Sequence, residues 1–176
     1  MQVLRALVAG SMACLALAGC SAGDGAARPS EPTTSTGSSP GLDGVVLEVV
    51  RTDSGERHTL DATVRNTGLW SYYFLWVPQC DLHPWSDRMA GPDGPVQPRE
   101  PGAHCLPCGR DVLSPGESMS RSFGWDERVW DMDQERMRDA PDGRYVWTVS
   151  FRAEPDEDDV CGGDRAVSVD VEVEVR

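Results

Sequence analysis

Apolar and polar residues alternate with a period of two along much of the chain. In "RHTLDATVRN", Leu60, Ala62 and Val64 fall on one face, and Thr59, Asp61, Thr63 and Arg65 fall on the other. "GRYVWTVSFR" sets Tyr145, Trp147, Val149 and Phe151 inward, and "AVSVDVEVEVR" alternates valines with Ser168, Asp170, Glu172 and Glu174. Such alternation marks strands with one buried face. "VVLEVVR" (Val45–Arg51) opens the series, and "LWSYYFLWV" (Leu69–Val77), apolar or aromatic on both faces, is expected to be a central strand. Turn signals separate the runs: Asn66-Thr67-Gly68, Pro92-Asp93-Gly94, Ser114-Pro115-Gly116-Glu117 and Pro141-Asp142-Gly143. Pro115-Gly116 suits the centre of a type II turn, whose second position needs a positive φ. Short strands at regular spacing without alternating helices predict an all-β chain, an antiparallel β-sandwich. One stretch departs from this pattern. "WDERVWDMDQERMRD" brings Val129, Met132 and Met137 near helical spacing with acids before bases, which predicts a short helix over 126–138.

The N-terminus follows a different rule. One arginine, Arg5, precedes an apolar run from Ala6 to Ala18. That run is shorter than the roughly 20 residues a permanent membrane helix needs, and its layout is that of a secretory signal. Leu17-Ala18-Gly19-Cys20 resembles the lipobox of bacterial lipoproteins. The resemblance implies a signal peptide over 1–19, cleavage before Cys20, and lipid (palmitate among the chains) on Cys20. Residues 20–43 are rich in Ser, Thr, Gly, Pro and Ala, and are expected to form the lipidated cysteine and a disordered tether. Residues 44–176 remain for one domain. The expected location is the cell membrane, lipid-anchored, on the extracytoplasmic side.

Charge and cysteine content narrow the chemistry. The formal net charge of -13 disfavours a phosphate backbone, so no nucleic-acid partner is expected. Lysine is absent, which excludes Schiff-base catalysis. Cys14 leaves with the signal and Cys20 is taken by the lipid; Cys80, Cys105, Cys108 and Cys161 remain, an even set that implies disulfides in an exported chain. Three pairings are open. The favoured arrangement joins Cys80 and Cys161 to different members of the Cys105/Cys108 pair. "CLPC" (Cys105–Cys108) resembles a thioredoxin-like redox motif, but the "GRDVLSPGE" that follows offers no helix to lower a thiol pKa. A zinc site lacks a second short ligand pair. Asp131, Asp133 and Glu135 begin like a calcium loop, but Arg136 and Asp142 break the pattern. No metal or cofactor is expected. His58 is assigned to the polar side of its strand, at the surface, and no nucleophile motif occurs.

Further residues suggest relatives. The Gly-x-Tyr of "PDGRYVW" resembles the tyrosine corner of Ig-like folds, with Tyr145 bonded back to the upstream backbone and Trp147 where the inter-sheet cysteine would stand. Val64-Arg65-Asn66-Thr67-Gly68, Gln79 and Asp81, "GPDGPV", "LSPGES" and "PDGRYVW" follow one another in an order that resembles the BsuPI-type intracellular proteinase inhibitor domain. The resemblance spans roughly Val45 to Arg152 and implies an Ig-like antiparallel β-sandwich. Cys80 stands where that family usually has an aromatic residue, and "GAHCLPCGRD" (Gly102–Asp111) looks inserted.

The functional expectation is a non-enzymatic, membrane-anchored extracytoplasmic binding lipoprotein with a protein partner. Its sharpest form is a protease-inhibitor-like module presenting a disulfide-braced loop, Gly91–Asp111, to a protease. Trp85 and Trp130, expected outside the core strands, and Leu106 and Pro107 in the braced loop are the candidate binding residues. The alternatives are a thiol-disulfide redox protein using Cys105 and Cys108, or a purely structural envelope lipoprotein.

Overall fold

The computed structural model describes residues 31–75, 84–100, 109–159 and 164–176. They form twelve strands: β1 (Thr33–Ser38), β2 (Val45–Ser54), β3 (Arg57–Asn66), β4 (Tyr72–Leu75), β5 (Trp85–Gly91), β6 (Gly94–Val96), β7 (Arg110–Leu113), β8 (Ser118–Trp125), β9 (Arg128–Asp131), β10 (Arg136–Asp139), β11 (Gly143–Arg152) and β12 (Ala166–Val175). One antiparallel sheet has the order β1-β2-β3-β8, and the other has the order β12-β11-β5-β6. Two smaller pairs, β4-β7 and β9-β10, complete the set. The crossings from β3 to β8 and from β5 to β11 give the strand order of an Ig-like sandwich.

The alternation seen in sequence becomes the core. Leu47 and Val49 of β2, Leu60, Ala62 and Val64 of β3, and Phe123 and Trp125 of β8 face Trp85, Tyr145, Trp147, Val149 and Phe151 of the opposite sheet. Aromatic rings knit the two layers together. Trp125 meets Trp147 edge-on at 6.3 Å and tilts against Tyr145 at 5.0 Å, while Trp85 packs edge-on against Phe151 at 5.0 Å and Phe123 at 6.4 Å. Such edge contacts add about 0.5–1.5 kcal/mol each beyond area burial. Tyr145 Oη donates to the Pro141 carbonyl at 2.8 Å, the bond the tyrosine corner requires. Two residues later, where an inter-sheet disulfide would cross, Trp147 fills the space and donates its Nε1–H to Asp87 at 3.0 Å. Gly116 has a φ of +84°, and the Glu117 N–H reaches the Ser114 carbonyl at 3.0 Å, closing the predicted turn.

Three expectations need correction. The helix over 126–138 is instead the β9-β10 hairpin. Glu127 and Glu135 both take positive φ, which breaks a helix at each end, and Asp131 Oδ1 accepts the Asp133 and Gln134 N–H groups to cap the turn. The charges that suggested a helix dipole pair across strands, Arg138 with Asp131 at 3.4 Å. The disordered tether is also too long as drawn. Residues 33–38 pair with β2 as strand β1, and Leu42 is buried. An edge strand of Thr and Ser gains its stability through backbone bonds, which an apolar count does not register. Gly37 lets β1 lie against β12, because a Cβ there would run into the Ser168 carbonyl oxygen. Finally, the run from Leu69 is not a central strand. Its described part is the short β4, paired with β7, while Leu69 and Trp70 stand in solvent.

Candidate binding face

The turn after β3 is organised by a buried asparagine. Asn66 is fully buried; its Nδ2 donates to the Trp70 carbonyl at 2.7 Å and to the Leu113 carbonyl at 3.0 Å, and its Oδ1 accepts the Gly68 N–H at 3.0 Å. Its main chain bonds the Pro115-Gly116 turn, donating to Glu117 O and accepting from Gly116 N. Every polar atom of the residue has a partner, the condition under which a buried amide stabilises a fold. The chain from residue 39 to 44 closes the other side. Gly44, at φ +79°, lies so close to the Gly68 backbone that any side chain would collide with it. Thr67 donates both its N–H and its hydroxyl to the Gly44 carbonyl, at 2.7 and 2.8 Å. Tyr72 Oη donates to the Asp43 carbonyl at 2.9 Å. Burial, with Asp43 nearby, pushes the Tyr72 phenol up from its ordinary value, so it stays a neutral donor.

This braced turn carries side chains that the core does not use. Leu69 is 88% and Trp70 71% exposed, although the main chain of Trp70 is fixed by Asn66. A cleft beside them is lined by Trp70, Ser71, Tyr72, Tyr73 and Pro155. Tyr73 faces Val112 across the β4-β7 pair, and Val112 is exposed. On its other edge β4 exchanges main-chain bonds with Glu154, at 2.7 and 2.8 Å. Glu154 is itself buried, accepting the Arg165 N–H at 2.9 Å and meeting the Arg165 guanidinium at 3.5 Å. A depression lined by Tyr73, Arg110, Asp111, Val112 and Glu157 continues the surface. Arg110 is drawn to Glu157 at 2.7 Å.

The sequence-predicted residues distribute differently. Trp85 is buried between Phe123 and Phe151, so it is a core residue and not part of an exposed patch. Its place at the start of β5, facing inward, explains the difference. Trp130 is half-buried on β9, where its N–H donates to the Gln97 carbonyl at 2.8 Å, with the exposed Met132 two residues on. Cys20, Cys80, Cys105, Leu106, Pro107, Cys108 and Cys161 lie outside the described residues. Leu69 and Trp70 escaped the sequence reading because an apolar pair next to an aromatic run looks like strand. The preceding Asn66-Thr67-Gly68 is the signal that the turn extends further.

His58 is the other correction. It sits on the inward face of β3, in step with Leu60 and Ala62, and is buried against the Trp125 ring at 5.6 Å. Nδ1 meets Asp53 Oδ1 and Nε2 meets Glu127 Oε1, both at 2.8 Å. The buried ring thus bridges Asp53 and Glu127, with one nitrogen on each carboxylate. Burial pushes the Asp53 carboxyl up, but bonds from Arg51 and His58, with their charges, outweigh it and hold Asp53 below its ordinary value. Among the described residues, no group of three or more potential ligands is arranged to hold a metal ion, and no helix is long and apolar enough to cross a membrane.

No family model matches the chain, and no curated protein matches it. Among solved structures it is similar to part of a β-glucosidase from Chaetomella raphigera, at 17% identity and a TM-score of 0.34, covering 84% of this chain and 18% of that one. The chain thus spans less than a fifth of that enzyme's length.

Proposed function

We propose that this protein is a lipid-anchored, extracytoplasmic binding module that acts by contact and not by catalysis, with Cys20 carrying the lipid and the Leu69–Trp70 face meeting a protein partner. The carrying observation is that Trp70 stands 71% exposed while Asn66 clamps its main chain. A bulky aromatic exposed on a braced main chain adds little to folding, but it anchors an interface without the cost of ordering its backbone. The resemblance to proteinase inhibitor domains sharpens this reading to a partner of the protease class, met by a loop on a braced scaffold. The segment holding Cys105 and Cys108 leads directly into β7, whose Val112 borders the same face.

Two experiments test the proposal. Cys20→Ser is expected to move the protein from the membrane to the soluble fraction; retention in the membrane would overturn the anchor. A protease panel with the full-length chain is expected to show inhibition that Trp70→Ala weakens. No inhibition at large molar excess would remove the inhibitor form and leave a binding module of another partner class.

A further inference from the structure

Resting on that reading of the Leu69–Trp70 face, we infer that its partner is a cationic polypeptide segment carrying one bulky apolar side chain. The apolar element is the cleft between Trp70, Tyr73 and Pro155. It suits a single inserted aromatic or aliphatic group, because rings and a proline line it on main chain that Asn66 braces at Trp70 and beside a Tyr72 ring tied to Asp43. The rim is acidic. Asp111 and Glu157 border the adjoining depression, and Asp158, almost wholly exposed, follows in the short 3₁₀ turn Glu157–Asp159. Two arginines reach this region, and both are already paired: Arg110 with Glu157 at 2.7 Å and Asp158 at 3.9 Å, and Arg165 with Glu154 at 3.5 Å, against the five acids Asp111, Glu154, Asp156, Glu157 and Asp158. The rim therefore presents net negative charge on a chain whose formal charge is already -13. Complementary charge steers encounter and selects among partners, while the buried apolar group supplies most of the holding energy.

The same features argue against a bilayer as the occupant. An acidic rim is repelled by an anionic lipid surface. The chain also enters the sandwich at Thr33, opposite Arg51, at the far end of the sheet from Trp70. The described strand nearest to Cys20 in sequence thus begins at the end of the sheet away from this face.

The test is binding of labelled short peptides to the full-length chain, read by fluorescence anisotropy. One peptide has a phenylalanine flanked by lysines, a second replaces the phenylalanine with serine, and a third replaces the lysines with glutamates. Vesicles of phosphatidylglycerol and phosphatidylcholine form the fourth arm. The lysine–phenylalanine peptide is expected to bind, and Trp70→Ala to weaken it about tenfold or more. Raising the salt from about 50 to about 500 mM is expected to weaken it several-fold as rim charges are screened. Asp158→Lys is expected to weaken it without unfolding the domain, since that side chain is in solvent. If the glutamate peptide binds equally well and still depends on Trp70, the face is a binding face but the cationic assignment is overturned. Trp70-dependent binding to the vesicles overturns it in favour of a membrane. Absence of binding in every arm removes both this inference and the reading it rests on.

Discussion

Strand β3 has two ends, about 26 Å apart by strand rise, and they treat their side chains in opposite ways. At the start, His58 is a polar ring taken into the core and matched on both nitrogens by carboxylates. At the finish, Asn66 is equally buried and equally satisfied, yet it supports a tryptophan left in water. Polar groups are sealed and paired at both ends, so the exposed indole is not the by-product of a poorly packed corner. An arrangement that buries a polar ring and exposes an aromatic one is explained by folding at the first end only. The second end is the one that the proposed partner would cover.

Substitutions can break that contrast, and the largest effect is expected at His58. His58→Leu takes the ring from both Asp53 and Glu127, with Arg51 still bonded to Asp53, and should cost about 3 kcal/mol in urea unfolding, since it removes the shared partner of a largely buried polar network. Asn66→Ala comes next, at about 2 kcal/mol, because it strands the Trp70 and Leu113 carbonyls. It should also loosen Trp70, so partner binding falls along with stability. Acid titration is expected to have a smaller effect. The folded Asp53 carboxyl lies below its ordinary value, so its contribution is complete above an unfolded value of about 3.9 and is lost as pH falls through the folded one. Urea midpoints measured down this range should fall less steeply in Asp53→Asn than in the parent chain. The smallest effect belongs to Trp70→Ala, whose stability should stay within about 0.5 kcal/mol of the parent. A large loss there would mean that Trp70 is a structural residue, and the contrast between the two ends would disappear.

Much of the sandwich was legible from period-two alternation, because each main strand keeps one buried face. The corner tyrosine and the Pro115-Gly116 turn were also readable, since each depends on residue types with few conformational options. His58 was misplaced because its polarity outweighed its parity with Leu60. The β9-β10 hairpin was hidden because its breaks fall on two glutamates at positive φ, a conformation nothing in their identity requires. β1 was missed because its pairing is main-chain only. The face at Trp70 was not legible as a site at all; it depends on Asn66 reaching across to Leu113, a contact between residues distant in sequence.

The way β1 joins the sandwich bears on how the proposed module would carry mechanical load. Cys20 stands 13 positions before Thr33 in the sequence. In the proposed module, a lipid on Cys20 and a partner gripping Trp70 would pull lengthwise along β1. The strand is held to β2 by six register pairs, from Thr33↔Arg51 to Ser38↔Val46. Pulled in this direction, the ladder is sheared, and its rungs share the force instead of peeling apart one after another. A flat, threonine-rich strand with little side-chain burial is then a cleat, and resistance to detachment is set by the barrier to breaking the whole ladder at once.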